Sequence, residues 1–233
     1  MIDVEKNREI NEKLKNLYAS YTREFLKEYT AAFSSDKNPP DRINEFGIID
    51  ESLYDADCGI LVIAKETNRW DFDEGTLFRT WLQGISREGI KNKEHVSKHP
   101  TMWYNIIRWV TAIHNPKLPV NEIASMGSEA VEKLGTIAFT NINKVRGGAA
   151  AKKSYNQIAQ SSVAIKVLKE EIAIIKPAII VCCGIGAYFD KYIKNEVQKL
   201  GCKIIYMPHP AARKNKTQMI DNVRSQLKNV PLN

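Results

Sequence analysis

Cysteine is scarce in this chain, with four in 233 residues. Cys58, Cys182, Cys183 and Cys202 form no C-x-x-C pair and show no metal-ligand spacing, so neither a zinc site nor a disulfide framework is implied and buried thiols are expected. No apolar run approaches the roughly 20 residues that span a bilayer. The opening Met1-Ile2-Asp3-Val4-Glu5-Lys6 lacks the basic-then-apolar order of a signal peptide, so a cytoplasmic protein with no membrane partner is expected. Glycine is too sparse for a dinucleotide fingerprint: Gly184-Ile185-Gly186 falls short of G-x-G-x-x-G. His95, His99 and His114 have no ligand-like spacing. No metal and no cofactor are expected.

What the chain does have is enough apolar content, 43% hydrophobic, to bury a full core in one large α/β domain or a domain with an appendage. The net charge of +7 and pI of about 9.1 permit a polyanionic partner. The cations are unevenly placed. Lys144, Arg146, Lys152 and Lys153 follow one polar loop, and Arg213, Lys214 and Lys216 follow another.

Residues 3 to 33 read as an amphipathic helix, since Ile10, Leu14, Leu17, Tyr18, Tyr21, Phe25 and Tyr29 recur at three and four. A polar connector through Pro39-Pro40 ends it. The expected organisation is therefore residues 1–40 as N-terminal helix and connector and residues 41–233 as a single α/β domain. The helix is expected to pack on its own domain, with a partner helix as the alternative.

Four apolar runs then read as strands: Gly59–Ala64, Gly135–Thr140, Ala178–Cys183 and Cys202–Met207. Such runs are buried on both faces, the mark of a parallel sheet. Between them lie helical patterns: Thr76–Ile85, an aromatic-rich stretch at Thr101–Ile113, a helix from Ser154 to about Lys176 with a capping-box spacing to Gln157, and one ending at Lys199-Leu200-Gly201. A last helix begins near residue 217. Strands joined by helices pair in parallel with right-handed crossovers. All four carboxyl ends then face one edge, bringing together Lys65–Trp70, Asn141–Gly148, Gly184–Gly186 and His209–Arg213. Converging polar loops with a basic fringe are where α/β folds bind ligands.

The last of these loops is the most constrained. In Met207-Pro208-His209-Pro210-Ala211, two prolines fix the backbone on either side of one histidine. A turn whose histidine only satisfies a local hydrogen bond is the plainer reading.

The strand ends resemble the uracil-DNA glycosylase superfamily over about Gly59 to Arg213. Ile63-Ala64-Lys65-Glu66-Thr67 is similar to its first motif, which holds the water-activating residue. Thr140-Asn141 resembles the strand end whose asparagine reads the flipped base, and His209-Pro210-Ala211 resembles its His-Pro-Ser motif. The chain departs from the pattern at Ala64 for glycine, Thr67 for proline and Ala211 for serine, and its cysteines do not match the iron-sulfur branch. The resemblance implies a three-layer α/β/α fold on a central four-stranded parallel sheet. It also implies a hydrolase of DNA repair, a glycosylase acting on a damaged or deaminated base, with DNA as partner.

Cleavage of an N-glycosidic bond passes through a cationic sugar, so a carboxylate that orients water suits Glu66, and a hydrogen bond to the departing base suits His209. Asn141 offers donor and acceptor to a base edge, Trp70 an aromatic face, and Thr67 and Asn68 further contacts. Lys144, Arg146, Gly184, Arg213 and Lys214 are the candidates for the nucleic-acid backbone. Plainer roles stand beside these: Glu66 paired with Lys65 or Arg69, Asn141 capping a turn, Trp70 packing, and the cations as a solvated face. The alternatives in function are a catalytically inactive nucleic-acid or nucleotide binder of the same fold, and a small-molecule α/β enzyme.

Overall fold

A continuous apolar run has no face to offer water, so it is stable only between two layers, and the central strands here are such runs. The chain is described by a computed structural model over residues 2–34, 40–65, 67–68, 78–88, 100–147 and 153–228. In chain order the strands are β1 (Gly47–Ile48), β2 (Ile60–Ala64), β3 (Thr67–Asn68), β4 (Ile137–Asn141), β5 (Arg146–Gly147), β6 (Ile179–Cys183) and β7 (Lys203–Met207). Five of them form one sheet in the order β1-β4-β2-β6-β7, while β3 and β5 make a two-stranded ribbon.

β2 runs parallel to both β4 and β6, and β7 runs parallel to β6. All five residues of β2 are buried. The four expected strands therefore pair as expected, but the sheet is five-stranded and mixed, because β1 lies antiparallel on β4 through Gly47↔Phe139 and Ile48↔Ala138. A strand of two residues has no alternation by which to be recognised. Its position depends on Gly47, at φ +143°, where a Cβ would stand 2.5 Å from Asn11 Oδ1 and 2.9 Å from Leu14 Cδ1.

Helices among the described residues are Val4–Ala32, Phe78–Glu88, Pro100–His114, Val120–Ser125, Lys153–Ala159, Ser162–Ile175, Gly186–Tyr192, Lys194–Lys199 and Lys216–Lys228, with a 3-10 segment at Ser128–Thr136. They pack in groups. Val4–Ala32 lies on Ser162–Ile175, Lys153–Ala159 and β1, whereas Lys216–Lys228 lies on Pro100–His114, Val120–Ser125 and β7. Asp3 caps the first helix by accepting from the Lys6 N–H at 3.0 Å. Its apolar stripe of Ile10, Leu14, Leu17, Tyr18, Phe25 and Tyr29 is buried in the same core as the sheet. The helix thus packs on its own domain.

The single helix expected from Ser154 to Lys176 is two helices. Ser161 interrupts it by capping the second, accepting from the Ala164 N–H at 3.3 Å. The apolar spacing continues across the break and so hides it. Lys176 ends the second helix in the left-handed conformation, at φ 50°, just before Pro177. Cys182 and Cys183 are buried as expected, while Cys58 is exposed.

On each outer strand of the sheet a side-chain amide engages one outward-facing peptide group as a neighbouring strand would. Along β1, Ile49 N–H bonds to β4 at the Ile137 carbonyl, so Ile48 faces outward; Asn11 Nδ2 donates to its carbonyl at 3.1 Å and Oδ1 accepts its N–H at 3.0 Å. On β7, Gln226 Oε1 accepts the Tyr206 N–H at 2.8 Å and Nε2 donates to the Tyr206 carbonyl at 3.0 Å. Unpaired strand edges invite association, and these two amides remove the invitation. We expect Asn11→Ala to lower unfolding free energy by about 2 kcal/mol and Gln226→Ala by about 1 kcal/mol in denaturant titrations, since only the first orphans a fully buried peptide group. In the second variant the Tyr206 amide should lose its protection from hydrogen exchange.

Candidate functional site

Parallel pairing puts the ends of β2, β4, β6 and β7 on one edge of the sheet, and the ladder continues past them. Ile142 N–H donates to the Ala64 carbonyl at 2.9 Å and Asn143 N–H to the Lys65 carbonyl at 3.0 Å. Beyond these, β3 and β5 pair in parallel, Thr67 opposite Arg146 and Asn68 opposite Gly147. The polar loops after β2 and β4 are thus joined backbone to backbone. Glu66 and Trp70 lie outside the described residues, and Thr67, Asn68 and Arg146 are placed by their backbone.

His209 follows β7 by two residues and remains accessible to solvent. Partial burial of the ring, and then the positive charge of Lys65, hold its pKa below the ordinary imidazole value. Its Nδ1 accepts the Ala211 N–H at 3.2 Å. A neutral ring that accepts at Nδ1 carries its proton on Nε2, which is then the donor. Gly184, directly after β6 and at φ +72°, abuts this residue: a Cβ there would stand 3.1 Å from both the Cα and the N of His209. Gly184 thus has a structural use in letting the last two strand ends meet. Arg213 and Lys214, just after the turn, are exposed.

Asn141, the last residue of β4, is 1% exposed, and its Oδ1 has no hydrogen-bond partner among the described residues. A buried acceptor left open is rare enough to require a reason, and a ligand donor is one. Its main chain is fixed by Lys144. This is a correction to the expected basic fringe, for Lys144 is 0% exposed and cannot meet a phosphate. Its Nζ stands 2.7 Å from Glu171 and donates to Thr140 Oγ1 and to the Asn141 carbonyl, each at 2.6 Å. Burial pulls the Lys144 ammonium below its ordinary pKa, and Glu171 opposes that pull. The i,i+3 reach from Lys144 back to Asn141 is what a run of Asn-Ile-Asn-Lys conceals, because a lysine after a polar loop looks solvated.

Between the ends of β2, β4 and β6 lies a cleft of about 170 Å3, lined by Lys65, Ile142, Gly184, Asn156, Gln160 and Tyr188 among others. Asn156 in the helix Lys153–Ala159 and Gln160 just past its end reach it together because they are four apart. The Tyr188 hydroxyl is buried without a hydrogen-bond partner among the described residues. Apolar walls with two amides and a cation suit a small ligand with a polar edge.

Among the described residues no group of His, Cys, Asp and Glu is arranged to hold a metal ion, and no helix is long and apolar enough to cross a membrane. Comparison with protein-family models, with curated proteins and with solved structures gave no match.

Removing one partner of a buried ion pair leaves the other uncompensated. We expect Lys144→Ala to lower unfolding free energy by about 3–5 kcal/mol, and the double variant Lys144→Met with Glu171→Leu to recover most of it. Chemical denaturation measures both; a surface lysine would give a change near zero.

Proposed function

We propose that this chain is a glycosylase-like protein of the uracil-DNA glycosylase type, hydrolysing the N-glycosidic bond of a damaged or deaminated base in DNA. On this reading the two groups of helices flank the sheet as the outer layers of a three-layer fold. The observation that carries the proposal is a pair of residues at the carboxyl ends of parallel strands: His209, whose Nδ1 accepts a main-chain N–H and so leaves Nε2–H as the donor, and Asn141, a buried acceptor without a donor among the described residues. In the reaction, water adds to the sugar carbon as the bond to the base nitrogen breaks, its electron pair leaving on the base, and the proton that the water loses neutralises the departed base. The departing base gains negative charge on a carbonyl oxygen, which the His209 Nε2–H stabilises. Asn141 accepts from the base edge, and Glu66 orients the water. Arg213 and Lys214 face solvent, where phosphates would meet them.

A second reading, a nucleic-acid or nucleotide binder without turnover, is favoured by Ala211, which brings an N–H to His209 but no hydroxyl to the turn.

Base release from uracil-, hypoxanthine- and xanthine-containing oligonucleotides tests the proposal. Release should fall about 10²- to 10³-fold in His209→Ala. Salt-sensitive binding with no release from any of them supports the second reading, and no affinity at all removes both. The pH profile carries its own sign. A depressed pKa leaves the ring neutral as pH falls through about 6.5, the ordinary imidazole value, so the rate should hold there and decline only at lower pH.

A further inference from the structure

The inward face of the helix Pro100–His114 carries Trp103, Ile106, Ile107, Trp109 and Val110, and three polar residues are buried with them: Thr111, Asn105 at 2% exposed and Arg108 at 5%. Burying a guanidinium is costly unless its donors are met. Arg108 donates to the Met126 carbonyl at 2.6 Å and to Asn105 Oδ1 at 3.1 Å. Asn105 Nδ2 in turn donates to the Pro210 carbonyl at 2.7 Å. The polarity of this chain is fixed by chemistry. A guanidinium only donates and a carbonyl only accepts, so the amide between them has one workable orientation.

The Pro210 carbonyl and the Ala211 N–H are the two ends of one planar peptide group. Proline contributes no N–H, so this carbonyl is the polar handle by which the residue after His209 can be held. The same plane that presents its oxygen to Asn105 presents its N–H to His209 Nδ1, at 3.2 Å. Turning the plane would break both bonds together.

We propose that Asn105, oriented by Arg108, is a positioning residue for His209: by fixing the Pro210–Ala211 peptide plane it places a donor on Nδ1 and so assigns the ring proton to Nε2. The helix that the sequence presents as plain core is thereby the support of the strand-end histidine.

Long-range proton–nitrogen spectra of the imidazoles, with His209 assigned by its loss in His209→Gln, test this directly. In the unaltered protein His209 should be the Nε2–H tautomer; a proton on Nδ1 overturns the proposal without any variant. Asn105→Asp keeps the size and the Arg108 contact but sets a carboxylate oxygen against the Pro210 carbonyl, and the His209 signals should move toward a mixture of tautomers. Asn105→Ser, which is too short to reach, should do the same. Unchanged His209 signals in either folded variant overturn the proposal. The catalytic consequence rests on the glycosylase reading, under which kcat falls about 100-fold with KM little changed. Absence of base release from the unaltered protein would defeat that reading, while the imidazole spectra still decide the positioning role.

Discussion

Parallel pairing of β2 with β4 on one side and β6 on the other is the constraint on which the remaining structure depends. A parallel ladder has no tight turn between its strands, so each connection must cross back over the sheet, and helices fill that distance. The same constraint sorts the chain's polarity. Amino ends of the strands gather at one edge and carboxyl ends at the other, so residues as distant in sequence as Lys65, Asn141, Gly184 and His209 share a rim without any contact between their own loops being needed.

A rim made of loops is only as well defined as the backbone beneath it, and this chain stiffens it by one device used twice. At the end of β4 a buried ammonium donates to the Asn141 carbonyl, and after β7 a buried amide, itself held by a guanidinium, donates to the Pro210 carbonyl. Each places a polar group where an apolar one would pack at lower cost. In each case the carbonyl so held belongs to a residue at or next to a candidate contact. The ammonium is further enclosed by the Phe46 ring, 5.2 Å from its centroid, so the arrangement is part of the core rather than an intrusion of solvent.

The strands and long helices were legible because their signals are local: the runs at Gly59–Ala64 and Ala178–Cys183 are apolar without interruption, and the first helix repeats Ile10, Leu14, Leu17 and Tyr18 on one face. Two kinds of feature were not. Strand β1 is two residues long, and its existence depends on Asn11 and Phe139, which are remote in sequence. The roles of Lys144, Asn105 and Arg108 depend on what stands opposite them in the fold. A lysine beside a polar loop reads as solvated, and two polar residues three apart in an aromatic helix read as its wet face, although here both face inward. Placing His209 at a strand end needed only the apolar run and the two prolines. Knowing which nitrogen bears its proton needed the peptide plane of Pro210–Ala211.

The engagement of one outward peptide group on each outer strand bears on where a partner could be met. With the outward peptide groups of Ile48 and Tyr206 engaged by Asn11 and Gln226, neither β1 nor β7 offers those groups to a strand of another chain. Recognition by strand addition, which needs a row of free main-chain donors and acceptors, is thus obstructed at both sides. The carboxyl rim is different in kind. It holds an accessible imidazole and, among the described residues, a buried amide oxygen and a phenol hydroxyl without hydrogen-bond partners, and exposed cations follow directly on its last turn. Polar groups on a rim with exposed positive charge beside it suit a polar, anionic ligand better than an apolar one.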